Sequence, residues 1–356
     1  MGKPVYKKKI TILKERFRFF FVEVIWYYMI IFALIFLSLA SLEFFVDKNS
    51  VSYGIIFYIE RAILIFIAVP IAFFISKFIS PPHKREIIIE EDISPFKGFL
   101  KLYKVTKKNY KYQFLYGFLI FFLVFLPLDF FTYLLLPDMI SYQAFSLGSN
   151  ATNSYLFRDY FTFLISVIII QICVSFSEET IFRGYITKSG SEHINRISAV
   201  IIASLAWGLN HFAYYFDPIS KAYPSWFPLI WFTQAFIIGI ILSLLVLRRK
   251  WIFPVILAHA LNNIISAHTL WNFLDGNDFT TIALFLYYPL LIIGIILFIW
   301  QFPRIKEALS IGFKLLKNYF KSETEYVESI GDKLFMIFID LLIGIIAFLL
   351  GFMILI

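Results

Sequence analysis

Long apolar stretches restrict the fold of this chain more than any other feature. Nine of them, each with few charged residues, lie at 20–46, 52–76, 113–136, 159–179, 197–215, 226–247, 251–267, 279–302 and 334–356. A helix needs about 20 such residues to cross a hydrocarbon layer of about 30 Å. The stretches lack the apolar–polar alternation of membrane β-strands. The sequence therefore predicts an all-α, polytopic membrane helix bundle of about nine transmembrane helices.

Composition and charge agree with a chain whose partners are membrane lipids. Hydrophobic residues make up 60% of the chain and charged residues 16%, whereas soluble domains average roughly 45–50% and about 25%. The net charge of +8 raises nucleic-acid binding as an alternative, but 28 of the 32 Lys and Arg residues lie on alternate loops between the predicted spans. This positive-inside bias predicts no nucleic-acid partner, a cytoplasmic N-terminus and a C-terminus on the outside.

The chain has no internal repeat and no long linker rich in Gly, Ser or Pro. We therefore predict a single membrane domain over 1–356. The segments 80–112 and 303–333 mix lysines with acidic and apolar residues, and we predict that both are cytoplasmic amphipathic connectors at the leaflet surface. A solvated connector is the alternative in each case.

Polar residues inside membrane helices are costly and usually mark a function. They occur here at 177–183 in the fourth span, 207–211 in the fifth and 259–263 in the seventh. A further charged residue, Arg61, follows Glu60 inside the second span. Arg61 could line a cavity, but a structural polar contact within the bundle is the interpretation that we favour from sequence.

Helical spacing sorts the acidic pair of the fourth span. Positions four apart share a face, whereas adjacent positions diverge by about 100°. Glu179 can therefore pair with Arg183, and Glu178 then points elsewhere with its carboxylate available for chemistry.

The other two spans supply imidazoles and an amide. Trp207 lies one helical turn from His211, and His259 shares a face with Asn263. A carboxylate near an imidazole can take a proton from water, and a second imidazole with an amide can stabilise an oxyanion. Interhelical hydrogen bonding is the structural alternative for each residue alone, but their occurrence together favours a hydrolytic site.

These residues resemble the three signature motifs of the CPBP (Abi) family of intramembrane proteases, which includes the type II CAAX prenyl endopeptidases. Tryptophan stands in the second motif where phenylalanine is commoner. The resemblance covers about 160–270, which would be the catalytic core. The matching residues are Glu178, Glu179 and Arg183 for the first motif, Trp207 and His211 for the second, and His259 and Asn263 for the third.

The resemblance implies a role for each matching residue. Glu178 and His211 would activate the attacking water, while His259 and Asn263 would form the oxyanion site. The supporting residues would be Glu179 and Arg183, which would hold the fourth helix in shape, and Trp207 of the second motif.

Metal dependence has two interpretations. Glu178, His211 and His259 form a possible zinc set, because zinc accepts carboxylate and imidazole ligands. The His-Glu-x-x-His pattern of many zinc hydrolases is absent from the sequence. We therefore expect no cofactor and no metal, with zinc as the alternative.

The sequence thus predicts an intramembrane endopeptidase acting on a membrane-associated or lipidated peptide, with prenylated CAAX tails as one class. The motifs Gly-x-Ser-Gly and Gly-x-Gly-Asp of other intramembrane proteases are missing. A non-enzymatic membrane protein, such as an immunity factor, scaffold or transporter, is the alternative. In straight helices Glu178 would lie roughly 28 Å along its span and His211 roughly 21 Å from the cytoplasmic face. A meeting of the two requires a tilted or kinked helix, a fourth span that starts above the bilayer, or a fifth span that starts inside the cytoplasm.

Overall fold

The computed structural model describes residues 9–79, 95–212, 224, 226–319 and 329–355. Within these ranges the regular structure is entirely helical, which confirms the all-α class. In chain order the helices are α1 (Lys9–Arg18), α2 (Ile25–Phe45), α3 (Val51–Ile79), α4 (Pro95–Leu102), α5 (Tyr110–Ile120), α6 (Leu126–Leu135), α7 (Asp138–Gly148), α8 (Tyr160–Glu179), α9 (Lys188–His193), α10 (Arg196–Phe212), α11 (Trp226–Arg249), α12 (Phe253–Leu274), α13 (Phe279–Ile282), α14 (Tyr288–Tyr319) and α15 (Ile330–Leu355).

Several of these helices are joined end to end without a loop. Four π-helical turns make the joints, between α1 and α2, α5 and α6, α8 and α9, and α13 and α14; they are Phe19–Val24, Phe121–Phe125, Thr180–Thr187 and Ala283–Tyr287. A 3₁₀ segment, Ala151–Phe157, precedes α8. Single π-helical turns inside α-helices occur frequently at functional sites, and the third of these turns follows Glu178 and Glu179 directly.

Seven helical stretches of the described residues are long and apolar enough to cross a membrane. They are Leu13–Ser38, Val51–Ile75, Tyr110–Leu135, Tyr160–Glu192, Trp226–Arg249, Phe279–Lys314 and Ile330–Gly351. The predicted spans 197–215 and 251–267 correspond to α10 and α12, which are not among the seven, so the count of nine is not confirmed. The residues 213–215 of the first predicted span lie outside the described residues. The helix α12 contains histidines and asparagines that lower its mean hydropathy.

The two predicted connectors lie partly outside the described residues. In the connector predicted at 80–112, residues 80–94 lie outside the described residues. The helix α4 follows them, with Phe99 and Leu102 buried and Lys97 and Lys101 exposed. Of 303–333, the first part continues α14 without a break to Tyr319, and 320–328 are again outside the description.

The motif-bearing helices α8, α10 and α12 occupy the middle of the bundle. α10 packs against α11 and α15, and α8 packs against α3 and α12. Gly208 permits the approach of α10 to α11, because a Cβ atom at this position would lie 3.2 Å from both the Cβ and the backbone nitrogen of Phe236. A larger residue there would push the two helices apart.

A buried ion pair ties the first helix to the last. Arg16 Nε lies 2.7 Å from Asp340 Oδ1, and Arg16 Nη2 donates to Ser198 Oγ at 2.9 Å. The two charged side chains are at most 6% exposed. Since Ser198 belongs to α10, this cluster connects α1 and α15 to α10.

Candidate active site

The end of α8 and the π-helical turn after it hold an ion pair with no exposure to solvent. Arg183 Nε lies 3.3 Å from Glu179 Oε2, and both side chains are 0% exposed. This is the pairing that the four-residue spacing predicts. The geometry is not that of a hydrogen bond, and none of the three guanidinium nitrogens has a hydrogen-bond partner among the described residues. Instead the guanidinium lies over the ring of Trp207, 4.0 Å from its centre.

Trp207 connects all three motifs. Its indole N–H donates to Glu178 Oε2 at 2.5 Å, and one ring face carries Arg183. The edges of His211 and His259 meet the same ring, with centroid distances of 5.3 and 5.5 Å. A phenylalanine at this position would offer a ring but not the N–H donor.

His259 links the two glutamates. Its Nδ1 lies 2.8 Å from Glu179 Oε1, and its Nε2 lies 4.0 Å from Glu178 Oε2. A carboxylate only accepts hydrogen bonds, so Nδ1 carries the proton and Nε2 is directed towards Glu178. Phe125 stacks on the imidazole at 5.9 Å with an interplanar angle of 14°. The ring is therefore fixed by both its hydrogen bond and its packing.

His211 is oriented by its own helix. Its Nδ1 lies 3.4 Å from the Trp207 carbonyl oxygen, one turn earlier, and its ring meets the edge of Trp231 at 5.4 Å. If Nδ1 donates to that carbonyl, Nε2 is left as an acceptor. His211 also lies within electrostatic range of Glu178 and His259.

Asn263 is held by a residue that the sequence analysis did not single out. Its side-chain Nδ2 donates to Gln171 Oε1 at 3.0 Å, and Gln171 Nε2 donates to the Tyr155 hydroxyl at 3.1 Å. Gln171 lies two helical turns before Glu178 on α8. The signal that could have found it is an amide side chain within an otherwise apolar span.

The four residues predicted to be catalytic line one cavity of about 360 Å³: Glu178, His211, His259 and Asn263. Glu179 and Arg183 are not part of its wall and lie behind Trp207. The wall also carries Arg61 and Asp129, two charged residues of other helices.

Glu178 and His211 line the same cavity, despite the difference in depth that straight helices would give. The fourth apolar stretch was predicted to end at 179, but the helix continues through the π-helical turn and α9, so the candidate span is Tyr160–Glu192. Glu178 therefore lies inside a continuous helix of 33 residues and not at its end.

The three residues of the alternative zinc set, Glu178, His211 and His259, line the same cavity. Within the part of the chain that the structure describes, no three His, Cys, Asp or Glu side chains are grouped so that they could hold a metal ion. In particular, His259 Nδ1 is bonded to Glu179 and its Nε2 lies 4.0 Å from Glu178 Oε2.

One comparison with known proteins gave a match. Residues 160–265 match the family model described as type II CAAX prenyl endopeptidase Rce1-like. The matched segment contains every residue of the three motifs, which confirms the resemblance to intramembrane proteases of the CAAX type over this part of the chain. The match indicates protease activity in a multi-pass membrane protein. Comparison with curated proteins and with solved structures gave no match.

Proposed function

We propose that this chain is a glutamate-type intramembrane endopeptidase in which Glu178 and His211 activate water for attack on a peptide bond. The observation that carries the proposal is the hydrogen bond from Trp207 to Glu178 Oε2, 2.5 Å long, at the wall of a cavity shared with both histidines. This bond fixes the carboxylate and occupies one oxygen. Oε1 remains available to a water molecule inside the cavity.

His211 supports the same step. With Nδ1 turned to the Trp207 carbonyl, Nε2 faces outward as an acceptor for the second hydrogen of the water. Removal of a proton from water by a positioned carboxylate or imidazole contributes typically 10²- to 10⁴-fold to the rate. The proton is then delivered to the amine that leaves when the tetrahedral intermediate collapses.

His259 and Asn263 are suited to hold the oxyanion of that intermediate. His259 donates through Nδ1 to Glu179, so it can donate through Nε2 as well only when the ring is protonated. Glu179 Oε1 lies 2.8 Å from Nδ1, and Glu178 Oε2 lies 4.0 Å from Nε2. Asn263 uses one amide hydrogen for Gln171 and keeps the other for the substrate. Donors fixed before the reaction stabilise the developing charge without reorganisation.

A second cavity supports a lipid-modified substrate. It measures about 830 Å³ and is lined mainly by apolar side chains of α5, α6, α11 and α14. Leu128 and Ile238 belong to the walls of both cavities, so the apolar space adjoins the polar one. An isoprenoid or acyl chain would bury its surface there, while the attached peptide reaches Glu178. Prenylated CAAX tails are therefore the substrate class that we propose.

The experiment uses the full chain reconstituted in lipid nanodiscs and a panel of fluorogenic peptides, farnesylated and unmodified. Glu178→Gln and His211→Ala are compared with wild type at matched protein levels, and Glu307→Gln, at a carboxylate that is 61% exposed, is the control. We expect each active-site variant to lose at least about 100-fold in kcat/KM and the control to keep its rate. Cleavage that persists in Glu178→Gln would refute the mechanism.

A chelator is added in a parallel series, because we propose that the reaction needs no metal. The expected result is unchanged cleavage after chelation. If the chelator abolishes cleavage and added zinc restores it, the reaction is metal-dependent, and the proposed activation of water by Glu178 and His211 without a metal is wrong.

A further inference from the structure

Among the described residues of the cavity wall, Arg61 is the one Lys or Arg side chain. It lies on α3, and its guanidinium is 5.9 Å from the ring of Phe57, one turn earlier. Among the residues that the structure describes, no side chain forms an ion pair or a hydrogen bond with it. Its charge still acts on Glu178, which lies within electrostatic range. A charge in this setting is costly unless it pairs or faces a polar cavity.

In the described structure neither carboxylate of the same wall forms an ion pair with Arg61. Glu178 accepts the indole N–H of Trp207, and Asp129 Oδ2 accepts the hydroxyl of Tyr287 at 3.2 Å. A guanidinium presents five N–H donors in a planar fork that matches a carboxylate. The cavity therefore offers an unused site for a carboxylate beside the residues that would cleave the peptide.

The backbone around Arg61 is held firmly. The Tyr58 hydroxyl lies 3.4 Å from Thr152 Oγ1, and a Cβ atom on Gly54 would lie 2.2 Å from the Thr152 carbonyl oxygen. These contacts lock the cavity face of α3 against the 3₁₀ segment before α8. The Cα of Arg61 is therefore held in place, so that binding of an anion has to order the arginine side chain and not the helix that carries it.

We propose that Arg61 binds a carboxylate of the substrate peptide, with the scissile bond at Glu178. This inference rests on the proposed endopeptidase function and adds a specificity-determining contact to it. The carboxylate can come from the C-terminus of the peptide or from an acidic side chain near the cleaved bond. The two sources share their chemistry and are separated by the choice of peptide.

The test measures kcat/KM for farnesylated fluorogenic peptides that contain no acidic side chain and end in either a free carboxylate or an amide. We expect wild type to favour the carboxylate by roughly 10- to 100-fold, the range of a charged hydrogen-bonded contact. In Arg61→Gln the ratio of kcat/KM between the acid and the amide peptide falls to about 1, and any effect of the lost charge on Glu178 changes both rates by the same factor. Arg61→Lys keeps part of the preference, and Arg158→Gln, at an exposed arginine, keeps all of it.

A third peptide, amidated but with glutamate near its end, identifies the source. Recovery of fast cleavage that depends on Arg61 assigns the site to acidic side chains, and its absence assigns it to the C-terminal carboxylate. If Arg61→Gln slows the acid and the amide peptides equally, Arg61 acts through Glu178 and the proposal is wrong.

A binding measurement separates this inference from the endopeptidase function. The same peptides, labelled and titrated onto Glu178→Gln in nanodiscs, should bind more tightly as acids than as amides, and Arg61→Gln should remove the difference. This result supports the carboxylate site even if no peptide is cleaved. If the acid and amide peptides bind equally, or if neither binds, the carboxylate site at Arg61 is wrong. Either result is compatible with peptide cleavage that depends on Glu178.

Discussion

Removal of Glu179 should destabilise the protein strongly, because it leaves Arg183 charged, buried and without a carboxylate in contact. Both side chains are 0% exposed. Glu179 uses one oxygen for His259 at 2.8 Å and places the other 3.3 Å from Arg183 Nε. The guanidinium otherwise contacts the Trp207 ring. The perturbation is Glu179→Leu, compared with Arg183→Met and with the double variant.

The magnitude follows from this burial. Breaking a buried ion pair by removing one partner costs about 3–5 kcal/mol, and we expect this loss for Glu179→Leu. Arg183→Met should cost less, because His259 remains as a partner for Glu179. The double variant buries no unpaired charge, so it should recover at least about 2 kcal/mol relative to Glu179→Leu, as replacement of a buried ion pair by apolar residues is often neutral.

The free energy of unfolding is measured by titration with SDS in mixed micelles, followed by tryptophan fluorescence. The matched control is the pair Arg248 and Glu307, where the glutamate is 61% exposed and each substitution should cost less than about 1 kcal/mol. A loss below about 1 kcal/mol for Glu179→Leu, or a double variant whose loss equals the sum of the singles, would refute the reasoning. The double variant should also be inactive, because His259 Nδ1 loses its acceptor.

Two further predictions concern a single donor and a helix cap. Trp207→Phe keeps a ring beneath Arg183 but removes the N–H that donates to Glu178. We expect kcat/KM to fall roughly 10- to 100-fold, as for other hydrogen bonds to charged groups, and the thermal midpoint to stay nearly unchanged. An unchanged kcat/KM would contradict the role of this bond. Asp278 caps α13, and hydrogen bonds from the side chain and backbone of Thr281 lower the pKa of its carboxyl. The stabilisation is then present above the unfolded pKa of about 4 and is lost as pH falls through the lower folded value. The stability gap between wild type and Asp278→Ala should therefore narrow from pH 7 to pH 3, and a constant gap would argue against the cap.

The contacts within one helix could be predicted from the sequence. Spacing alone placed Glu179 beside Arg183 and Trp207 beside His211, since both pairs lie four residues apart. The helical class also followed, because lipid leaves a chain with such apolar stretches few other ways to satisfy its backbone.

The contacts between helices could not be predicted in the same way. The bond of His259 to Glu179, the bond of Asn263 to Gln171 and the position of Arg61 on the cavity wall all depend on how the helices pack. Periodicity says which face of a helix a residue occupies, but not which helix that face meets. The helix also continues past the predicted end at 179, because the polar residues after it are buried by protein, and hydropathy alone cannot distinguish them from residues at the edge of the membrane.

The ion pair between Arg16 and Asp340 also sets an order of assembly during synthesis. Its partners are 324 residues apart, while Ser198, the other partner of Arg16, is 182 residues away. At about 5–20 residues per second, roughly 15–65 s separate the translation of the two charged residues. During roughly the first half of this interval neither Ser198 nor Asp340 has been translated, so Arg16 has neither contact. During the second half only the Ser198 hydroxyl is present to accept a hydrogen bond from Arg16. α15 therefore supplies the counter-charge for α1, and this ion pair can form only after α15 has been translated.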